Sequence, residues 1–214
     1  MNHPLLQRFM SVIAAGLLAL ASFTALAQDG PDQLMRRLSA DVLDTIKTDK
    51  EMQAGNVRKI VALVDGKIMP HVNFTRMTAS AVGRAWRQAT PEQQKRLQDE
   101  FKTLLVRTYA GALSQVTDQS IVVKPLRAAA EDKDVLVRTE IRGRGDPIQL
   151  DYRLEKTADG WRIYDLNVLG VWLVETYRSQ FAQEITARGI DGLIAALAER
   201  NKAGSGGASA ARKG

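Results

Sequence analysis

The chain contains no cysteine. That single absence excludes disulfides, thiolate catalysis and thiolate metal ligation together. Histidine is almost as scarce, with two in 214 residues. His3 lies at the extreme N-terminus, so a Ser-His-Asp arrangement would have to use His71. His71 follows the helix-stopping Pro70, and no Gly-x-Ser-x-Gly partner exists, so a capping or packing role is expected for it. Without cysteine, and with His71 the one histidine away from the N-terminal end, there is no zinc or copper donor set. Charge of one sign is not concentrated either: 30 basic and 24 acidic residues leave a net charge of +6. The cations are scattered, which excludes a nucleic-acid arm. The acids give no dyad. Glu131 to Asp134 reads as a hairpin loop, Asp151 and Glu155 flank Arg153, and Glu175 and Glu184 fall on the polar side of a helix, so exposed ion pairs account for them. Two short motifs also dissolve. Gly143-Arg144-Gly145 opens like a dinucleotide fingerprint but has no third glycine and no following helix. Arg144-Gly145-Asp146 matches a cell-adhesion tripeptide, yet strand-like runs flank it and a turn is expected. No catalytic residue, metal site or cofactor is therefore assigned.

What is present begins with a leader. Arg8 precedes an apolar run from Phe9 to about Phe23, followed by Ala25-Leu26-Ala27. The run is short for a membrane span of roughly 20 residues, and the small residues form a cleavage pattern. Residues 1–27 are expected to be a removed signal peptide, 28–200 a single domain in the periplasm, and 201–214 a small, polar, disordered tail.

Hydrophobic periodicity divides the domain. Leu34, Leu38, Val42, Leu43 and Ile46 mark a helix over 31–48, and the apolar spacing from Val57 to Ile68 marks a second over Asn56 to Met69, stopped by Pro70. One or two short helices are expected over 74–88. Thr90-Pro91-Glu92-Gln93 is a capping-box start, and Leu97, Phe101, Leu104, Leu105, Tyr109, Ala112 and Val116 form one stripe over 91–116. The period then changes to two. Ser120–Leu126, Val135–Ile141, Ile148–Lys156 and Trp161–Val168 read as strands, and helices over about 170–187 and 190–200 close the chain. The third strand alternates cleanly, with Ile148, Leu150, Tyr152 and Leu154 against Gln149, Asp151, Arg153 and Glu155. The expected fold class is α+β: a four- to five-stranded antiparallel twisted sheet covered on one face by helices, cone-like, with a pocket of the NTF2-like kind.

Bulky apolar side chains exceed what four short strands need against one long helix. Tyr164, Leu169, Val171, Trp172, Leu173, Val174, Tyr177 and Phe181 crowd one stretch near the C-terminus. A packed core is the ordinary explanation. Loose coverage of the sheet would leave a cavity instead.

At this level the chain resembles the MlaC family, also known as toluene-tolerance or ABC-transporter auxiliary proteins. The resemblance spans most of 28–200. It rests on Pro70-His71-Val72, Gly83 to Trp86 with the Thr90-Pro91 helix start, Phe101, Leu104 and Tyr109. Further on it rests on Tyr164-Asp165, Gly170-Val171, Tyr177-Arg178 and Gly189 to Leu193. Asn73 departs from it, since an acidic residue is common there. The resemblance implies a soluble, monomeric periplasmic phospholipid carrier that is not an enzyme, with phospholipid as cargo and no cofactor. The implied partners are an MCE-domain subunit of an inner-membrane ABC transporter and an outer-membrane lipoprotein–porin complex. On that reading Ile148, Leu150, Tyr152, Leu154, Val137, Tyr164, Leu169, Val171 and Trp172 line the lipid cavity, and Phe101, Leu104, Leu105 and Tyr109 wall its far side. A periplasmic chaperone for apolar peptides and a small-ligand enzyme on the same fold are the alternatives.

Overall fold

A computed structural model describes residues 29–129 and 131–210; the expected signal peptide lies outside the described residues. Helix α1 (Pro31–Thr48) starts with proline at its first turn and ends at Asp49. The Asp49 carboxylate then accepts the N–H groups of Glu51 and Met52, which starts α2 (Lys50–Gln53). Asn56 caps α3 (Val57–Leu63) in the same way. The expected second helix does not run on to Met69. It loosens into a π turn over Val64–Ile68 and tightens into a 3₁₀ turn over Met69–His71, where Pro70 supplies no N–H.

Asn73 opens α4 (Phe74–Val82), its side-chain oxygen accepting the Arg76 N–H, so the departure from an acidic residue leaves the cap intact. A 3₁₀ turn over Gly83–Gln88 leads to α5 (Pro91–Ser114), whose capping box forms as the sequence implies. Gln93 N–H donates to Thr90 Oγ1 at 3.2 Å, and Thr90 N–H donates to Gln93 Oε1 at 3.0 Å.

The sheet is an antiparallel five-stranded meander in sequence order, β1 to β5. Its strands are β1 (Ser120–Val123), β2 (Asp134–Arg142), β3 (Ile148–Thr157), β4 (Gly160–Val168) and β5 (Val171–Trp172). The register of β3 on β4 shifts between Arg153 and Leu154, which makes Tyr164 the extra residue of a bulge. The free edge of β4 is met by Val72, which forms a parallel bridge with Ile163.

Helix α6 (Leu173–Ala210) breaks at Gly189 (φ 69°, ψ −172°), so it comprises the two closing helices expected. It begins at 173 and not at 170, because a hairpin intervenes. The tail expected from Asn201 is helical to Ala210, and Asn201 itself is buried. Its amide donates to the Glu100 carbonyl and carboxylate at 2.9 and 2.7 Å, which pins that turn to α5. Residues 211–214 lie outside the described residues.

The core forms three clusters. The first joins α4, α5 and α6 around Phe101, with the Tyr177 and Phe181 rings edge-on at 4.9 and 5.2 Å. The second packs Leu34, Met35 and Leu38 of α1 onto Val123, Val135, Val137, Leu154 and Ile163 of the sheet. The third gathers Leu43, Ile46, Met52, Ile60, Leu63, Ala110 and Val116. Half-buried Val72 is shared by the first two, and Val42 and Ile121 by the last two.

Candidate apolar ligand site

Cross-strand partners share a face, so the register sorts the side chains. Val135, Val137 and Ile141 oppose Leu154, Tyr152 and Ile148, while Leu150 opposes Val168, and Val168 opposes Val171. These residues form one apolar face. Arg153 with Asp165, and Asp151 and Trp172 with Asn167, lie on the other.

The apolar face is covered unevenly. At one end α1 seals Val135, Val137, Leu154 and Ile163 from solvent. At the other end Ile141 and Leu150 are half-buried and, among the described residues, packed into none of the three clusters. Ile148 and Val171 beside them are exposed. Tyr152 stands at the border. Burial raises its phenol well above the usual tyrosine range, the hydrogen bond with Thr139 works against that rise, and the Asp151 charge adds to it. It is therefore neutral at physiological pH.

The hairpin joining β4 to β5 borders the open end and is held rigidly from the polar face. Asn167 Oδ1 accepts the Gly170 N–H at 2.9 Å. Asp165 Oδ1 accepts the N–H groups of Leu166 and Val174 at 2.8 and 3.1 Å, which fixes the start of α6. Arg153 donates to Asp165 Oδ2 at 3.0 Å and stacks on the Trp172 ring at 3.9 Å. Burial raises the Asp165 carboxyl, and the two backbone donors and Arg153 work against that rise. The two-residue turn itself has positive φ at both positions, 53° at Leu169 and 87° at Gly170. That is the combination of a type I′ turn, usually filled by Asn-Gly. A leucine there costs roughly 1 kcal/mol or more.

The residues expected to line a cavity thus separate into three places. Ile148, Leu150, Tyr152, Leu169 and Val171 meet at or beside the open end. Phe101, Val137 and Leu154 are fully buried inside core clusters, with Leu104, Leu105 and Tyr109 half-buried against the first of them. Burial, and then the nearby Tyr177, raises the Tyr109 phenol. Trp172 lies on the polar face beneath Arg153. Tyr164, the bulge residue, lies beneath the Arg76 guanidinium at 3.5 Å, and Arg76 also binds Glu155 and Asp134 at 2.6 and 3.0 Å. Alternation could not place either aromatic, because the bulge and the hairpin reset the register. Ile141 was absent from the expected set, although its place at the end of β2 was a usable signal.

Little reactive chemistry surrounds these side chains. His71 is held below its ordinary pKa by burial and then by the charges of Arg162 and Arg37, so it is neutral. Among the described residues no cluster of three or more acidic or histidine side chains could hold a metal, and no helix is long and apolar enough to cross a membrane. Two shallow grooves lie elsewhere: about 270 Å³ between α3 and α5, and about 240 Å³ between α1 and β1.

These features define a class: α+β domains whose antiparallel meander offers an apolar face that helices seal at one end and leave open at the other. Within it, the chain belongs to the MlaC protein family, whose pattern matches residues 26–199. It is similar to the toluene tolerance protein ttg2D of Pseudomonas putida, with 28% identity over 187 residues covering 85% of this chain and 86% of that protein. It also resembles the intermembrane phospholipid transport system binding protein MlaC of Haemophilus influenzae, with 23% identity over 199 residues, covering 91% and 93%. Among solved structures it matches the phospholipid-binding protein from Ralstonia solanacearum in complex with a phospholipid. The TM-score is 0.81 at 49% identity, covering 83% of this chain and 99% of that one.

Proposed function

We propose that this protein is a soluble periplasmic phospholipid carrier that works without catalysis, cofactor or nucleic acid. The observation that carries this reading is the unevenly covered apolar face, on a chain 49% identical to a protein solved with phospholipid. Shielding one acyl methylene from water is worth roughly 0.8 kcal/mol. A lipid leaving a bilayer gives up nearly the same amount, so a carrier needs a large apolar contact and few polar hooks. Ile141, Ile148, Leu150, Tyr152 and Val171 provide such a surface, and Leu104, Leu105 and Tyr109 of α5 are half-buried apolar side chains suited to its far wall. The head group then stays in solvent.

The matched relative of the intermembrane transport system supports a shuttle between the two membranes. An MCE-domain subunit of an inner-membrane ABC transporter would stand at one end and an outer-membrane lipoprotein–porin complex at the other, served by a monomer. Mass spectrometry of the protein purified under non-denaturing conditions tests the cargo. Phospholipid is expected with the native chain and is expected to be lost from Leu150→Glu, which sets an unpaired charge among acyl chains. Peptide in place of lipid would favour a chaperone. Lipid retained by a folded Leu150→Glu variant would overturn the proposed lining.

A further inference from the structure

Leu169 contradicts every local preference. It occupies a left-handed position that asparagine or glycine fills at less cost, and its side chain is 65% exposed. Strain of this kind persists only where surrounding structure imposes it. Here the impositions are explicit: the Asn167 bond to Gly170, the Leu169 N–H donated to the Gln149 carbonyl at 3.1 Å, and the Asp165–Arg153–Trp172 stack behind them. The result is a rigid hairpin that presents a leucine to water.

It does not stand alone. Val171 is 51% and Ile148 41% exposed, and both border the same hairpin. Beside Ile148, Arg142 ends β2 and Arg144 lies in the β2–β3 turn; they pair with Glu140 at 2.8 Å and Asp118 at 3.2 Å, yet their side chains stay 52% and 93% exposed. From this juxtaposition we infer that the Leu169–Gly170 hairpin is a membrane-touching tip. It inserts Leu169, Val171 and Ile148 shallowly into the interfacial region of a lipid surface, with Arg142 and Arg144 set against anionic head groups.

Size selects this occupant over a second copy of the chain. Three partly exposed side chains present on the order of 300 Å², well below the roughly 800 Å² per partner that a stable dimer buries. An interfacial lipid contact needs no such area, and basic residues beside apolar ones are its usual signature. The inference rests on the carrier reading in one respect: the tip stands at the open end of the proposed lipid site, so contact there would bring that opening to the bilayer.

The absence of cysteine allows a direct test. An environment-sensitive dye is placed on Leu169→Cys and, separately, on Val61→Cys, an exposed apolar position lining the groove between α3 and α5. Each is titrated with vesicles of phosphatidylethanolamine and phosphatidylglycerol. A blue shift at 169 and none at 61 is expected. No shift at 169, or equal shifts at both, overturns the inference. A shift that requires a membrane protein reconstituted in the vesicles also overturns it, and assigns the tip to a protein partner. In parallel, Leu169→Asn relieves the backbone strain, so its denaturation midpoint should rise while vesicle partition falls about tenfold through loss of apolar surface. Unchanged partition would refute the tip. Phospholipid content, measured on the same samples, reports separately on the carrier: a dye shift with no bound phospholipid would overturn the carrier and leave the tip standing.

Discussion

The two ends of one apolar sheet face are built from the same residue types with the same alternation, yet they meet opposite fates. At the sealed end Leu154 packs beneath Leu34, Met35 and Leu38 of α1 and is fully buried. At the open end Ile148, six residues earlier on the same strand, stands exposed. Burial free energy is therefore spent at one end and left available at the other. On the proposed carrier reading, function follows from where the helices stop covering the sheet, more than from any single reactive group.

Substitutions should separate the ends by stability and by cargo. The largest losses belong to the sealed interior. Phe101→Ala, at the centre of the helical cluster, should cost about 3–5 kcal/mol and Leu154→Ala about 2–5 kcal/mol in urea unfolding. A small loss at Leu154 would mean that the two ends differ less than their coverage implies. Asp165, which clamps the hairpin, comes next. Asp165→Ala strands the Leu166 and Val174 N–H groups and should cost about 1–3 kcal/mol. Asp165→Asn can keep those bonds and should cost less. It carries the pH signature: the folded state holds the Asp165 proton more tightly than the unfolded chain does, so this group's contribution to native stability falls as pH rises from about 3.8 through the folded pKa. Unfolding of Asp165→Asn across that range should lack that component, and an identical pH profile in both proteins would count against it. The smallest effect on stability is expected at the open end, where Ile148→Ala should stay within about 0.5 kcal/mol of the native protein while reducing co-purified phospholipid. A large loss of stability there would mark Ile148 as core.

Much of this architecture was legible in the sequence because its signals are local. Pro31, the Thr90–Gln93 box and the alternation from Ile148 state their own element boundaries, and β3 ends within one residue of the expected position. What escaped depends on pairing. A two-residue strand such as β5 has no period to detect. The bulge at Tyr164 and the hairpin at Leu169 and Gly170 change which face later residues occupy, so Trp172 reads as apolar lining and lies beneath Arg153 instead. The π turn after Leu63 keeps a helical spacing of apolar residues while the hydrogen bonding changes beneath it. The buried Asn201 was hidden by its small, polar neighbours, because its partner Glu100 lies on another helix.

The three separate clusters have a mechanical corollary. Val42, Val72 and Ile121 are the half-buried side chains they share, so the seams are less completely buried than the interiors they join. Amide exchange should accordingly come in blocks, fastest along the joints and slowest around Phe101 and Leu154, the behaviour of an articulated body and not of one rigid grain.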